Sequence, residues 1–428
     1  MSSVMDQPVV NEILPYWEAA KIKALWMADN VPRSNIVMVV GLLLMAVYKH
    51  LSATTRAKDR LRKEKENLLF KPPIFPLEFD WKATEPMQLR PYKPRYHLTM
   101  ALETMIPSDL IPIDNTYMER ITYRRILLKS QRDIVLGTRD EKADPRIRAA
   151  VGELYQFVMA TYLPARYPRM FKIFEASFND TGKTDMLRNL VTGEILPTVL
   201  TPNGSVLTSL ETLAKTVDED MLILLPRLKK EGSKKTAKHD KRKSGNARNP
   251  SSGGDGETYV LEAYQVCFPS GFNLRTKIGK QLAEIHDPVP GYKEKIEKSM
   301  DRFFDRLEVG RFVKRANWSI TTGEDLFSPF GLHGKEGENY ESLKLEDLDP
   351  DNIHLRCERQ TLYRLPESRA LIFSIHTYRY PLRQIKDEGS GEDLAAAIDG
   401  IPNGSVPRMA KYKRVPVWGE AVKAYMRS

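Results

Sequence analysis

The stretch "IHLRCERQTLYRLPESRALIFSIHTY", residues 353–378, decides the fold class. Its first half alternates: Ile353, Leu355 and Cys357 fall on one side, and His354, Arg356, Glu358 and Gln360 on the other. A period of two places successive side chains on opposite faces of a strand. The second half repeats the pattern, with Leu371, Phe373 and Ile375 set against Ile372, Ser374 and His376. "PES" between them reads as a hairpin loop. Working outward, "KRANWSI" places Ala316, Trp318 and Ile320 on one face of a third strand. "DMLILLP" and "TYVLEAYQVCF" read as two more, on either side of residues 229–257. Helical spacing appears elsewhere. "ADPRIRAAVGELYQFVMATYLP" has Asp144 as N-cap, Pro145 just inside, and a stripe of Ile147, Val151, Leu154, Tyr155 and Val158. "TSLETLAKTV" reads as a helix opened by a capping box of Thr208 and Glu211. "NLRTKIGKQLAEIH" puts Leu274, Ile278, Leu282 and Ile285 on one helical face, and Tyr292, Ile296, Met300, Phe303, Phe304 and Leu307 form the next stripe. The helices segregate from the strands with no βαβ rhythm, so the expectation is α+β with an antiparallel sheet.

The 428 residues suffice for a large core, and the composition is that of a soluble fold: 41% hydrophobic and 29% charged. The net charge of +10 is concentrated in two places. Residues 229–248 hold nine Lys/Arg against two acids, and residues 49–65 hold seven against two. The remainder is near neutral, which argues against a broad nucleic-acid-binding face, and no nucleic-acid partner is expected. The two cysteines, Cys267 and Cys357, are too few for a disulfide framework, a Cys-rich zinc site or an all-cysteine iron–sulfur site.

The uncharged run "IVMVVGLLLMAVY", residues 36–48, has no polar face and precedes a highly basic segment. It is read as an N-terminal transmembrane helix in contact with membrane lipid, although a buried core helix also suits thirteen residues. The positive-inside rule then places the C-terminal body in the cytosol, with the endoplasmic reticulum as the expected membrane. The expected organisation is an anchor and basic juxtamembrane segment over 1–65 and a proline-rich arm over 66–95, whose Phe75, Phe79 and Trp81 pack on the body. A main domain over 96–390 and a C-terminal tail over 391–428 complete it. Residues 229–257, rich in Gly, Ser and Lys, read as a disordered insertion between two strands.

The sequence has no P-loop, no GxGxxG after a strand, no GxSxG elbow, no HExxH and no CxxC. None of the seven histidines pair at metal-ligand spacing, and a two-histidine, one-carboxylate iron site assembled in space stays open. His354 and His376 read as structural strand residues. His286 stands out by position. In "QLAEIHDPVPGY" Asp287 precedes Pro288, which disfavours the α conformation and stops a helix at the histidine. Haem asks little of a sequence: one axial histidine and an apolar, planar pocket.

Several stretches resemble the haem-dependent oxidative N-demethylase alpha-subunit-like family. They are "KIGKQLAEIHDPVPGY", "DRFFDRLEVGRFVKRANWSI", "LDPDNIHLRCERQTLYRLPESRALIFSIHTYRYPL" and, more weakly, "IPIDNTYMERITYRRILL". The resemblance implies a PAS-like antiparallel sheet with flanking helices and a haem b. It implies oxidative removal of a methyl group from an amine with O2, electrons arriving from NADPH through a separate flavin/iron–sulfur reductase. The matching axial ligand is His286, with Arg359 and Trp318 as further cofactor contacts. Arg356 and Glu358 are the catalytic candidates, an arginine pairing a haem propionate and a carboxylate holding an ammonium. A cross-strand Arg–Glu ladder explains the same pair equally well, and a large strand aromatic such as Trp318 is more often core. The substrate stays open between a small amine and something larger and more apolar. Two other readings stand beside the enzyme: a haem-binding PAS-type sensor or carrier without turnover, and a membrane adaptor that retains only the fold.

Overall fold

The structure, a computed structural model, describes residues 33–70, 78–178, 182–201, 203–228, 258–323, 325–334 and 337–428, together with Glu18 and Lys21. It divides into two compact units, Met1–Lys65 and Glu66–Ser428. In the first, the run at 36–48 belongs to a helix spanning Arg33–Phe70, so apolar and basic segments share one continuous element. Among the described residues, no helix is long and apolar enough to cross a membrane. Val37, Met38, Val40, Leu42, Leu43, Leu44 and Met45 of this helix are all exposed. The arrangement expected from the sequence, a separate spanning helix ahead of the fold, therefore has no support in the described residues.

The second unit is α+β. Its strands are β1 (Glu103–Thr104), β2 (Leu136–Thr138), β3 (Phe171–Phe178), β4 (Gly182–Asn189), β5 (Ile195–Pro197), β6 (Asp220–Pro226), β7 (Tyr259–Gln265), β8 (Val313–Thr321), β9 (His354–Arg364) and β10 (Leu371–Pro381). Seven form one antiparallel sheet in the order β1-β8-β9-β10-β6-β7-β2, and β3-β4-β5 form a small second sheet. The hairpin of the opening stretch is present: β9 pairs β10 from Leu371↔Arg364 to Pro381↔His354. β6 and β7 pair across residues 229–257, and the disorder expected for that segment lies outside the described residues.

The alternation read from the sequence separates two cores. Ile353, Leu355, Cys357, Trp318 and Ile320 join a cluster with helices Gly391–Gly400 and Val415–Arg427. Residues 391–428, set apart as a tail from the sequence, thus supply Leu394, Ile398, Trp418 and Val422 to a core. The helix Pro145–Gln156 is capped by Asp144, whose carboxylate accepts from Arg146 N, and its expected stripe is buried. Phe79 and Trp81 pack on that same core; Phe75 lies outside the described residues. Cys267 and Cys357, one in each of these clusters, are free and buried, and burial pushes both thiols up to about 12.

Two local expectations fail for identifiable reasons. The helix at "TSLETLAKTV" begins earlier, at Val206, because the Ser205 hydroxyl accepts Leu207 N; Thr208 is already inside. The long helix expected over 274–286 is only a short 3₁₀ turn at Leu274–Thr276 and one α turn at Leu282–Ile285. Gly279, at φ +77°, breaks it, and the backbone there pairs with β7: Gly279 N donates to Leu261 O, and Leu261 N to Lys280 O.

Candidate functional site

One face of the large sheet is left partly uncovered beneath this broken segment, enclosing a cavity of about 270 Å³. The floor is sheet: Leu222 and Leu224 from β6, Leu362 from β9, Phe373 and Ile375 from β10. The roof is Leu282 and Ile285 from the first of the two stripes read as helical, Tyr292, Met300 and Phe304 from the second, and Val289 from the turn between them. Most of the lining is therefore apolar, and a few polar groups stand at definite places, the usual composition of a small-molecule site. A second recess, at Gln88, Asp351, Arg383 and Glu388, is a surface groove in which Arg383 pairs with Asp351 at 2.8 Å, while Glu388 is held by Arg90 from outside the lining at 2.5 Å.

His286 lines the cavity as the C-cap of Leu282–Ile285. A Gln281–Glu284 capping box fixes the front of that turn, and Val289 N donating to His286 O closes the proline turn behind it. The imidazole lies parallel to Tyr292, ring centroids 4.6 Å apart. Its Nδ1 is 2.8 Å from Leu282 O. A carbonyl only accepts, so Nδ1 carries the proton and the lone pair is on Nε2, the arrangement of a ligating histidine. Desolvation lowers its pKa, reinforced by the cations of Arg315 and Lys277, so the ring is neutral.

A second imidazole, His333, lines the same cavity from the loop that follows Leu326. It stacks on Tyr412 at 4.3 Å and donates from Nδ1 to Gly271 O at 3.3 Å. Burial pushes it down to about 4. Among the described residues, no group of three or more His, Cys, Asp and Glu is placed to hold a metal ion on its own.

The sheet alternation sorts the other sequence candidates. Glu358 lines the cavity, accepting from Gln360 Nε2 at 2.9 Å. Arg356 shares its face of β9, but its guanidinium donates to Leu326 O at 2.9 Å and Phe268 O at 2.7 Å and lies outside the cavity lining. It fixes the loop that leads to His333. Arg359 points to the opposite face and donates to Asp109 O. Trp318 also faces away, edge-on to Tyr92 with ring centroids 6.0 Å apart. The structure thus brings His286 and Glu358 to one cavity and leaves Arg356, Arg359 and Trp318 outside it.

The residues the sequence reading missed are Arg315, Asn317, Lys413 and His333. Arg315 and Asn317 were available from alternation, being the face of β8 opposite Trp318. Lys413 was not. It comes from the C-terminal helices and donates to Trp318 O and, at 3.3 Å, to Asn317 Oδ1.

An apolar cavity roofed by helices on an antiparallel sheet, with a neutral histidine on its wall, is the geometry of a small-molecule pocket in an α+β fold. Residues 101–423 match the family described as haem-dependent oxidative N-demethylase, alpha subunit-like, and the chain belongs to it.

Proposed function

We propose that the cavity binds haem b with His286 as the axial ligand. We propose further that the chain carries out oxidative N-demethylation, or a related monooxygenation of an amine, fed with electrons by a separate reductase. The observation that carries this reading is the His286 imidazole: neutral, held by Leu282 O through Nδ1, and facing an apolar cavity in a chain of this family. The residues present fit the group. A porphyrin asks for one nitrogen lone pair, apolar walls above and below, and cations for its carboxylates. Nε2 of His286, the Leu/Phe/Met lining and the Arg315–Lys413 pair supply these. Haem, when bound, supplies the oxygen chemistry.

The chain's own contributions are binding and orientation. Tyr292 and Leu282 O keep the imidazole in one rotation. Arg356 holds Phe268 and the Leu326 loop in place, closing one side of the cavity against water. Glu358, the one carboxylate of the cavity lining among the described residues, is the proposed partner of an amine nitrogen. The exposed apolar residues between Val37 and Leu51 support a membrane association of the N-terminal helix, with the body on the cytosolic side.

The test is the visible spectrum of the full chain purified from haem-supplemented cells, beside His286→Ala. A Soret band that is lost or shifted in the variant, with far-UV circular dichroism unchanged, is the expected result. A well-folded protein without a Soret band would remove haem altogether. NADPH and O2 consumption with amine-dependent formaldehyde release, on adding a reductase, separates turnover from a sensor or carrier.

A further inference from the structure

The charges of the cavity wall are unequal. Among the described residues its lining contains Lys277, Arg315 and Lys413 against the single carboxylate of Glu358, and both histidines are neutral. Lys277 lies at the His286 side, where its amine donates to Ile285 O at 2.9 Å. The other three charges gather with Tyr96, Asn317 and Tyr412, and the Arg315 cation also bears on His286. Arg315 is the anomaly there. Its buried Nε has no hydrogen-bond partner among the described residues, and the groups that bear on its charge are Tyr96 and Glu358. Arg315 is half-buried, and leaving its buried Nε donor unmade costs the desolvation penalty of that group. Lys413 compounds this. Burial pushes its ammonium down to about 8, with Arg315 as a like-charge neighbour and Glu358 the opposing charge. Two cations and one carboxylate in a low-dielectric pocket leave one positive charge uncompensated here, and two over the whole lining. The cheapest correction is an anionic ligand.

We propose that Arg315 and Lys413 form the carboxylate-binding end of this cavity. The ligand carries its acidic groups there and its apolar body between the sheet and the Leu282–Phe304 roof. A two-carboxylate ligand brings the wall to neutrality. It also releases Glu358 from compensating the cations, so that its charge can face an amine. Two sources supply this chemistry: the propionates of a porphyrin, or the carboxylate of a separate apolar molecule. The first rests on the haem reading; the second does not.

The experiment titrates the full-length apo-protein with haem b and with its dimethyl ester, following the Soret band. Wild type is compared with Arg315→Leu, Arg315→Lys and Lys413→Met. The expected result is a preference for the free acid of roughly tenfold or more, the scale of one or two charge-assisted hydrogen bonds. That preference falls to within about twofold in Arg315→Leu and is partly restored in Arg315→Lys. The ester comparison in wild type needs no variant, so a misfolded substitution leaves the test intact. A second arm titrates laurate and dodecanol by calorimetry. Equal binding of haem and its ester, with laurate preferred over dodecanol in wild type but not in Arg315→Leu, places a separate carboxylate at this end. With no Soret band in wild type the haem reading fails, and the laurate arm alone decides the carboxylate end. No preference for acid in either arm overturns the proposal.

Discussion

The two faces of the large sheet handle charge in opposite ways. Glu358 and Arg359 are neighbours on β9, yet one lines a cavity and the other lies in a closed ionic cluster. In that cluster Arg124, fully buried, donates to Ala214 O, Asp220 Oδ1, Glu219 O and Gln265 Oε1, all between 2.6 and 2.9 Å. Asp220 in turn accepts Cys267 N and Phe268 N. His376 lies 3.2 Å from Glu219. Desolvation raises Asp218 to about 6, raises Glu219 well above its usual range and holds His376 well below its own. Here burial is dense and the arginine at its centre is fully paired. On the open face the burial is looser, and Arg315 lacks a partner for its Nε. Arg124 is a fully bonded fastening, whereas Arg315 borders open space that a ligand can enter. Arg359 and Arg356 also keep buried guanidinium nitrogens without a hydrogen-bond partner, so what sets Arg315 apart is the cavity it borders, not its missing bond.

Substitutions can break or sharpen that contrast. The largest effect is expected at Arg124→Leu, which strands Asp220 and Asp218 without their cation; a loss of about 3–5 kcal/mol in denaturant unfolding is predicted. Arg359→Met removes one charged tie to Asp109 O and should cost about 2–3 kcal/mol by the same measurement. Asp218→Asn tests the pH dependence. An acid whose folded pKa is raised destabilises the native state once it ionises, so its contribution falls as pH rises from about 4 to about 6. His376, with a folded pKa depressed below its unfolded value, acts in reverse and costs stability as pH drops below about 6.5. The variant should therefore lose about 1–3 kcal/mol less between pH 4 and 6 than wild type, read from unfolding midpoints at constant ionic strength. On the open face Glu358→Gln, which removes the charge opposing Arg315 and Lys413, should change stability by about 1–2 kcal/mol, and His286→Ala by about 1 kcal/mol or less. If Glu358→Gln destabilises as much as Arg359→Met, the two faces are not distinct in kind.

The sheet was legible in the sequence because alternation is local: β8, β9 and β10 and the hairpin between the last two follow from period two. The stop at His286 was legible for the same reason, since Pro288 acts on its own neighbour. The helix over 274–286 was misread because Leu274, Leu282 and Ile285 face one cavity, and Ile278 packs on the adjoining Leu261–Tyr264–Leu274 cluster, from an irregular backbone. A common destination mimics helical spacing, while the hydrogen bonds to Leu261 that decide the backbone come from another strand. The roles of Arg356 and Arg359 were not legible either. Their acceptors, Phe268, Leu326 and Asp109, are backbone carbonyls remote in the chain, and any residue type presents a carbonyl. Lys413 was invisible because only the packed C-terminal helices bring it to Asn317.

The two thiols have a practical consequence. Cys267 belongs to the core around the Pro145–Gln156 helix and Cys357 to the core under the C-terminal helices. Both are silent toward alkylating reagents while their surroundings stay closed, since thiolate is the reactive form. A thiol-reactive dye therefore acts as a two-channel clock of native-state opening. The rate at which each cysteine becomes labelled, resolved by peptide mass, reports how often its own half of the fold comes apart, with no engineered probe required.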